Sequence, residues 1–144
     1  SLKDGTKKMS KSDPSDLSRI NLKDNKDEII NKIKKAKTDE HQMPSEKEDL
    51  VNRPEVENLL GIYSSLNNQS LKNSIKEFGG KNFSDFKNKL GELLVEKIFP
   101  ISQEINKLQK DSKFIDKILS DGAKKANTIA SKKVDEMKKI IGFY

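Results

Sequence analysis

The sequence predicts an all-α fold, a helical bundle preceded by an N-terminal loop rich in lysine and serine. Three observations carry this. Beyond residue 23, apolar residues recur at helical spacing in one segment after another. Between the segments stand Asn67-Asn68, Gly79-Gly80 and Asp121-Gly122, pairs that stop helices and make turns. No segment after residue 22 alternates apolar and polar residues as a half-buried strand does.

Residues 1–18 read as loop, because Gly5, Ser10, Ser12, Pro14, Ser15 and Ser18 break any period. Ile20 and Leu22 alternate within "SRINL" (18–22), which suits a short extended piece. Asp24 is placed to cap a helix running to about Thr38, with Ile29, Ile30, Ile33 and Ala36 on one face. Lys32, Lys34, Lys35 and Lys37 crowd its last turns, where cations suit the helix dipole. Residues 38–52 form a polar, mostly acidic connector, and His41 within it is expected in solvent. Pro54 suits a first helical turn, and Val56, Leu59, Leu60, Tyr63 and Leu66 follow at helical spacing. Ser70 is placed to cap a short helix burying Leu71, Ile75 and Phe78. From Ser84 a longer stripe runs through Phe86, Leu90, Leu93, Leu94, Ile98, Ile101, Ile105 and Leu108. Pro100 lies inside it and is expected to kink or break the helix. Ser112 is expected to cap a helix with Phe114, Ile115, Ile118 and Leu119 inward. A last helix from about Ala123 to Ile141 carries the stripe Ala126, Ala130, Val134, Met137 and Ile141, with Lys133 beside it expected to snorkel. The aromatic residues fall mostly on apolar faces and are expected in the core.

At 144 residues the chain holds one core large enough to fold alone. It is polar, with 36% charged residues, but the periodic placement of its apolar residues excludes a disordered polar segment. With no cysteine and one histidine, neither a disulfide framework nor a zinc site is expected, and no metal ligand is assigned. No apolar run reaches the length of a membrane span and no signal-peptide pattern is present, so a cytoplasmic protein without membrane attachment is expected. The chain opens at Ser1 in a turn-like stretch and reads as the C-terminal part of something longer.

The net charge of +6 is unevenly spread. Residues 1–12 carry four lysines and one aspartate, and residues 112–144 carry eight lysines and four acids, while the middle is close to neutral. Basic ends suit a polyanion partner, and they equally suit a solvated lysine-rich surface. On the last helix Lys125, Lys132 and Lys139 recur every seven residues, with Lys124 nearby. That face suits either a phosphate backbone or solvent.

"KKMSKSDPSD" (7–16) asks for more than a turn. A triphosphate carries charge that shifts when its α-phosphate is attacked, and catalysis of that step is mainly electrostatic stabilisation. Lys8 and Lys11 supply point charges, and Ser10 and Ser12 supply hydroxyl and backbone hydrogen bonds. No glycine-rich cradle of the GxxxxGK[ST] type accompanies them.

"KMSKS" (8–12) resembles, without a substitution, the signature loop of the class I aminoacyl-tRNA synthetases. "DGTKKMSKSDPSDLSRINL", "DEIINKIKKAKTD", "RPEVENLLGIYSSL", "DGAKKANTIASKKV" and the terminal "IIGFY" resemble the tryptophan type within that class. The tyrosine type is the nearest alternative, and a non-catalytic helical RNA-binding module or a lysine-rich scaffold for protein partners are others. The resemblance implies that residues 1–22 end a Rossmann-type catalytic domain otherwise outside this chain. It implies that residues 23–144 form a helical domain binding the anticodon of tRNA(Trp). It also implies ATP with Mg²⁺ and tryptophan as substrates, and a homodimer. Carried over, the ATP-binding residues are Lys8, Met9, Ser10, Lys11 and Ser12, with Lys8 and Lys11 catalytic, Met9 packing the loop and Asp13-Pro14 fixing its exit. The tRNA-binding residues are Lys124, Lys125, Lys132 and Lys139. Neither a HIGH-type motif nor an amino-acid pocket lies in these residues, so this part alone is expected to be inactive.

Overall fold

A computed structural model describes residues 1–143; Tyr144, the last residue of "IIGFY", lies outside the described residues. Among the described residues five α-helices and two short 3-10 turns form, and no strand. The helices are α1 (Lys26–Lys34), α2 (Pro54–Leu66), α3 (Leu71–Phe78), α4 (Phe83–Lys110) and α5 (Ser112–Ile141). The chain divides into two compact units, Ser1–Gln103 and Glu104–Tyr144.

In the first unit α1 and α3 are too short to hold alone, so packing must stabilise them. Ile29 and Ile33 from α1, Val56, Leu59, Leu60 and Tyr63 from α2, Ile75 and Phe78 from α3, and Phe86, Leu90 and Leu94 from α4 meet in one core. Tyr63, Phe78 and Phe86 pack edge to face there, with centroids 4.9 to 6.1 Å apart. Each such contact contributes about 0.5–1.5 kcal/mol beyond area burial. Residues 1–22 belong to this unit and are tied into it: Leu2 is buried, its N–H donates to Ser18 O (2.9 Å), and its carbonyl accepts from Lys37 N–H (2.8 Å).

Several expectations are corrected. Asn25, not Asp24, caps α1, in a capping box with Glu28. Asp24 is drawn away by Lys32 (2.7 Å), which is buried rather than one more solvated cation at a helix end. The helix stops at Lys34 instead of Thr38, because the following backbone has other partners. Lys37 bonds Leu2, and Lys87 of α4 donates to the carbonyls of Ala36 (2.7 Å) and Lys34 (3.3 Å). In "SRINL" the 3-10 turn Asp16–Ser18 takes up Ser18, and Arg19 after it is extended (φ −149°, ψ 161°), as expected, without pairing into a strand. α4 starts at Phe83, one residue before Ser84, and the Asn82 side chain caps it by accepting Asp85 N–H at 3.0 Å. The helix runs unbroken through Pro100. Pro100 has no N–H to give the Glu96 carbonyl, so the helix continues with one hydrogen bond fewer at that turn.

Other expectations hold. Pro54 opens α2, Asn67 follows its end, and Ser70 caps α3 by accepting Asn73 N–H. His41 is exposed. Arg53 forks onto Asp39 (2.7 and 2.8 Å) and Gln42 O (2.9 Å), fastening the 38–52 connector to the start of α2. The Arg53 guanidinium also holds the Asp39 carboxyl below its ordinary range.

Tyr63 donates its hydroxyl to Glu77 (2.9 Å). Burial first, and then Glu77, push its phenol up to about 12. The folded state therefore favours the neutral ring. Its contribution to stability is whole below the ordinary phenol value and is lost as pH rises from there towards 12. In a Tyr144→Phe protein, phenolate absorbance is expected to rise with a midpoint near 12, and a midpoint near the ordinary 10 would contradict this packing.

In the second unit, Asp111 rather than Ser112 caps α5, and one helix replaces the expected two. Asp121-Gly122 does not interrupt it, since an isolated glycine costs a helix only about 1 kcal/mol. The helix ends at Gly142 (φ 70°), where Phe143 N–H reaches Lys138 O (2.9 Å) in a Schellman motif. No residue of α5 is buried. The residues expected inward, Phe114, Ile118, Leu119, Ala126, Ala130, Val134, Met137 and Ile141, are all exposed. Lys133 pairs with Glu136 (2.8 Å) instead of lying along an apolar surface. Helical period says which side of a helix is apolar, and coverage depends on what packs there.

Candidate functional site

The loop starts from a fixed point. Asp4 accepts Thr6 N–H (3.0 Å), the Thr6 hydroxyl (2.6 Å) and the Lys7 ammonium (3.2 Å), which closes a turn over residues 4–7. The Thr6 hydroxyl, then Lys7, lowers the Asp4 carboxyl to about 2. Gly5 within this turn lies against the first turn of α2. A Cβ there would stand 2.3 Å from Pro54 C and O, so only glycine allows this approach.

A second turn follows. Ser10 O accepts Asp13 N–H (3.3 Å), Ser10 Oγ accepts Ser12 N–H (3.2 Å), and Asp13 Oδ1 accepts Ser15 N–H (2.8 Å). Of the five predicted ATP-binding residues, Lys8, Ser10 and Ser12 line one polar cleft of about 500 Å³, beside Lys3, Asp4, Lys7 and Asp13. Lys11 is exposed on the second turn, outside that lining. Met9 faces a different, apolar cleft of about 530 Å³ with Leu22, Ile62, Leu66 and Leu94. Lys8 and Lys11 form no ion pair among the described residues, so their charges remain available to an anion.

Sequence reasoning missed the residue behind the loop. The Arg19 guanidinium donates from Nη1 towards the carbonyls of Ser10 (3.3 Å), Asp13 (3.1 Å) and Ser15 (3.4 Å). It also donates from Nε to Asn21 Oδ1 (3.1 Å) and pairs with Asp16 (3.0 Å). Asp16 in turn pairs with Lys32 (2.6 Å), and Lys32 with Asp24. Lys32 and Asn21 hold the Asp16 carboxyl below its ordinary value. A sequence signal existed: Arg19 and Arg53 are the only two arginines among 29 basic residues. Both sit where a planar, many-donor fork is used and a lysine would not serve.

The predicted tRNA-binding lysines lie on α5, in the second unit, and are all exposed. Lys124 lies 3.9 Å from Asp121. Lys125, Lys132 and Lys139 form no ion pair among the described residues.

The family described as tRNA synthetases class I (W and Y) matches residues 1–99, which include the loop, Arg19 and most of the first unit. The chain is 56% identical over 143 residues to a tryptophan–tRNA ligase of Agrobacterium fabrum, covering 99% of this chain and 40% of that protein. It is 50% identical to that of Brucella melitensis (99% and 40%) and 48% identical to that of Rickettsia felis (99% and 43%). It thus spans about two-fifths of the length of these relatives. An unaltered signature loop on a glycine-fitted turn, within a family match running from residue 1 to residue 99, means that the chain belongs to the class I tRNA synthetases of the tryptophan and tyrosine group.

Proposed function

We propose that this chain is the C-terminal part of a tryptophan–tRNA ligase and supplies that enzyme's phosphate-binding loop and tRNA-binding helices. The observation that carries the reading is the polar cleft on which Lys8, Ser10 and Ser12 converge, within a sequence similar over its whole length to tryptophan–tRNA ligases. A Rossmann-type catalytic half would hold tryptophan and the adenosine of MgATP. The carboxylate of tryptophan attacks the α-phosphorus, the bond to the bridging oxygen breaks, and pyrophosphate leaves with the charge. Lys8 meets that charge from the cleft. Lys11 reaches it when the loop closes, so its contact is stronger in the transition state than before it. The aminoacyl group then passes to the tRNA, whose anticodon region lies on the helices, with Lys124, Lys125, Lys132 and Lys139 on its phosphates. The enzyme works as a cytoplasmic homodimer.

The decisive assay is amino-acid-dependent ATP–pyrophosphate exchange by the full-length enzyme. Exchange is expected with tryptophan and not with tyrosine. Exchange with tyrosine alone would move the chain to the tyrosine type. Exchange with neither would reduce Lys8 and Lys11 to backbone-binding lysines and leave a helical RNA-binding module.

A further inference from the structure

We propose that Arg19 is a positioning residue that holds the backbone of the signature loop in shape for adenylate formation, an inference that rests on the function proposed above. Arg19 is not itself a phosphate ligand. It does not line the polar cleft, and its donors are directed at protein oxygens. Its side chain is only 18% exposed.

What it holds is specific. The Nη1 group faces three carbonyls spread over residues 10–15, which covers the second turn of the loop from Ser10 to its exit. The Ser10 carbonyl already closes that turn by accepting Asp13 N–H, so Arg19 grips the turn at its own hydrogen bond. The opposite edge of the guanidinium is anchored on Asp16, which shares its other oxygen with the buried Lys32 of α1. A line of charge-assisted bonds therefore runs from the core side of α1, through Lys32 and Asp16, to the loop backbone. Meanwhile the two lysine side chains that meet phosphate remain exposed. The turn keeps its internal shape and the charges are free. This division suits electrostatic preorganisation, because the spacing of Lys8 and Lys11 on the loop is set before it closes, while their heads stay able to follow the moving charge. A lysine at position 19 keeps the charge but cannot span three carbonyls and a carboxylate with one ammonium.

The test compares Arg19→Ala and Arg19→Lys with the wild-type full-length enzyme by two readouts. Amide hydrogen exchange of residues 8–18 is expected to speed up in Arg19→Ala while the amides of α2 and the first half of α4 stay protected. In ATP–pyrophosphate exchange, kcat is expected to fall about 10- to 100-fold, with the KM for tryptophan changed by less than about twofold, because a misplaced group costs rate more than binding. Arg19→Lys is expected to recover less than half of the lost rate. Unchanged loop exchange, or protection lost equally throughout the first unit, would overturn the positioning role while leaving the wild-type activity and its reading intact. Absence of tryptophan-dependent exchange in the wild type is the separate failure. It would remove the functional reading and the positioning role together, and loop exchange alone would then report on the clamp.

Discussion

Lys11→Ala in the full-length enzyme is expected to lower kcat for tryptophan-dependent ATP–pyrophosphate exchange by about 10²–10³-fold, the usual effect of removing one group aimed at developing charge. The KM for tryptophan is expected to stay within about twofold, since a contact made mainly in the transition state does not contribute to substrate binding. The helical fold should be unaffected, because Lys11 is exposed and makes no ion pair among the described residues. Circular dichroism of the variant would therefore match wild type. Lys11 is outside the cleft that Lys8 lines, so its role depends on loop closure, and the variant tests closure as much as charge. Exchange within about threefold of wild type would mean that Lys11 does not act on the transition state.

Lys32→Met is expected to cost about 3 kcal/mol of stability, measured as a lower urea midpoint by far-ultraviolet circular dichroism. Lys32 is 3% exposed and Asp24 5%, so the substitution leaves a carboxylate buried beside no cation. Burial is the largest influence on Lys32 and acts to lower its pKa, but Asp16 and Asp24 together outweigh it and leave the pKa raised. The contribution of the Lys32 charge to stability is therefore whole just below the ordinary lysine value and is lost as pH climbs through the raised one. Adding Asp24→Asn to Lys32→Met is expected to return at least half of the loss. Asparagine removes the stranded charge and keeps an oxygen for the Asn21 N–H, which Asp24 now accepts at 2.8 Å. A double variant no more stable than Lys32→Met would show that the cost comes from lost packing rather than from the isolated carboxylate.

The candidate site was legible where chemistry is written in contiguous letters. "KMSKS" names its residues in a row, and Lys8, Ser10 and Ser12 share one cleft. What supports the loop was not legible, because those residues act through space. Gly5 matters only because Pro54 lies against it. Arg19 matters only because the chain turns three carbonyls towards it. Lys32 read as one more solvated lysine near a helix end, and two carboxylates eight and sixteen residues earlier drew it into the interior.

The sequence by itself determined the all-helical class, the helices and turns at Pro54, Asn67, Ser70 and Gly79-Gly80, and the side of each helix that is apolar. These follow from spacing and backbone preference within a few residues, which act before any distant contact forms. Only the tertiary structure decided where α1 stops, that Lys32 is buried, and that Asp24 pairs with it instead of capping the helix. Each of these outcomes depends on groups outside the local helix pattern: Leu2 and Lys87 for the end of α1, and the carboxylates of Asp16 and Asp24 for Lys32. Proline apart, local preferences amount to about 1 kcal/mol per residue or less, so packing and ion pairs of a few kcal/mol set a boundary such as the end of α1 where the two disagree.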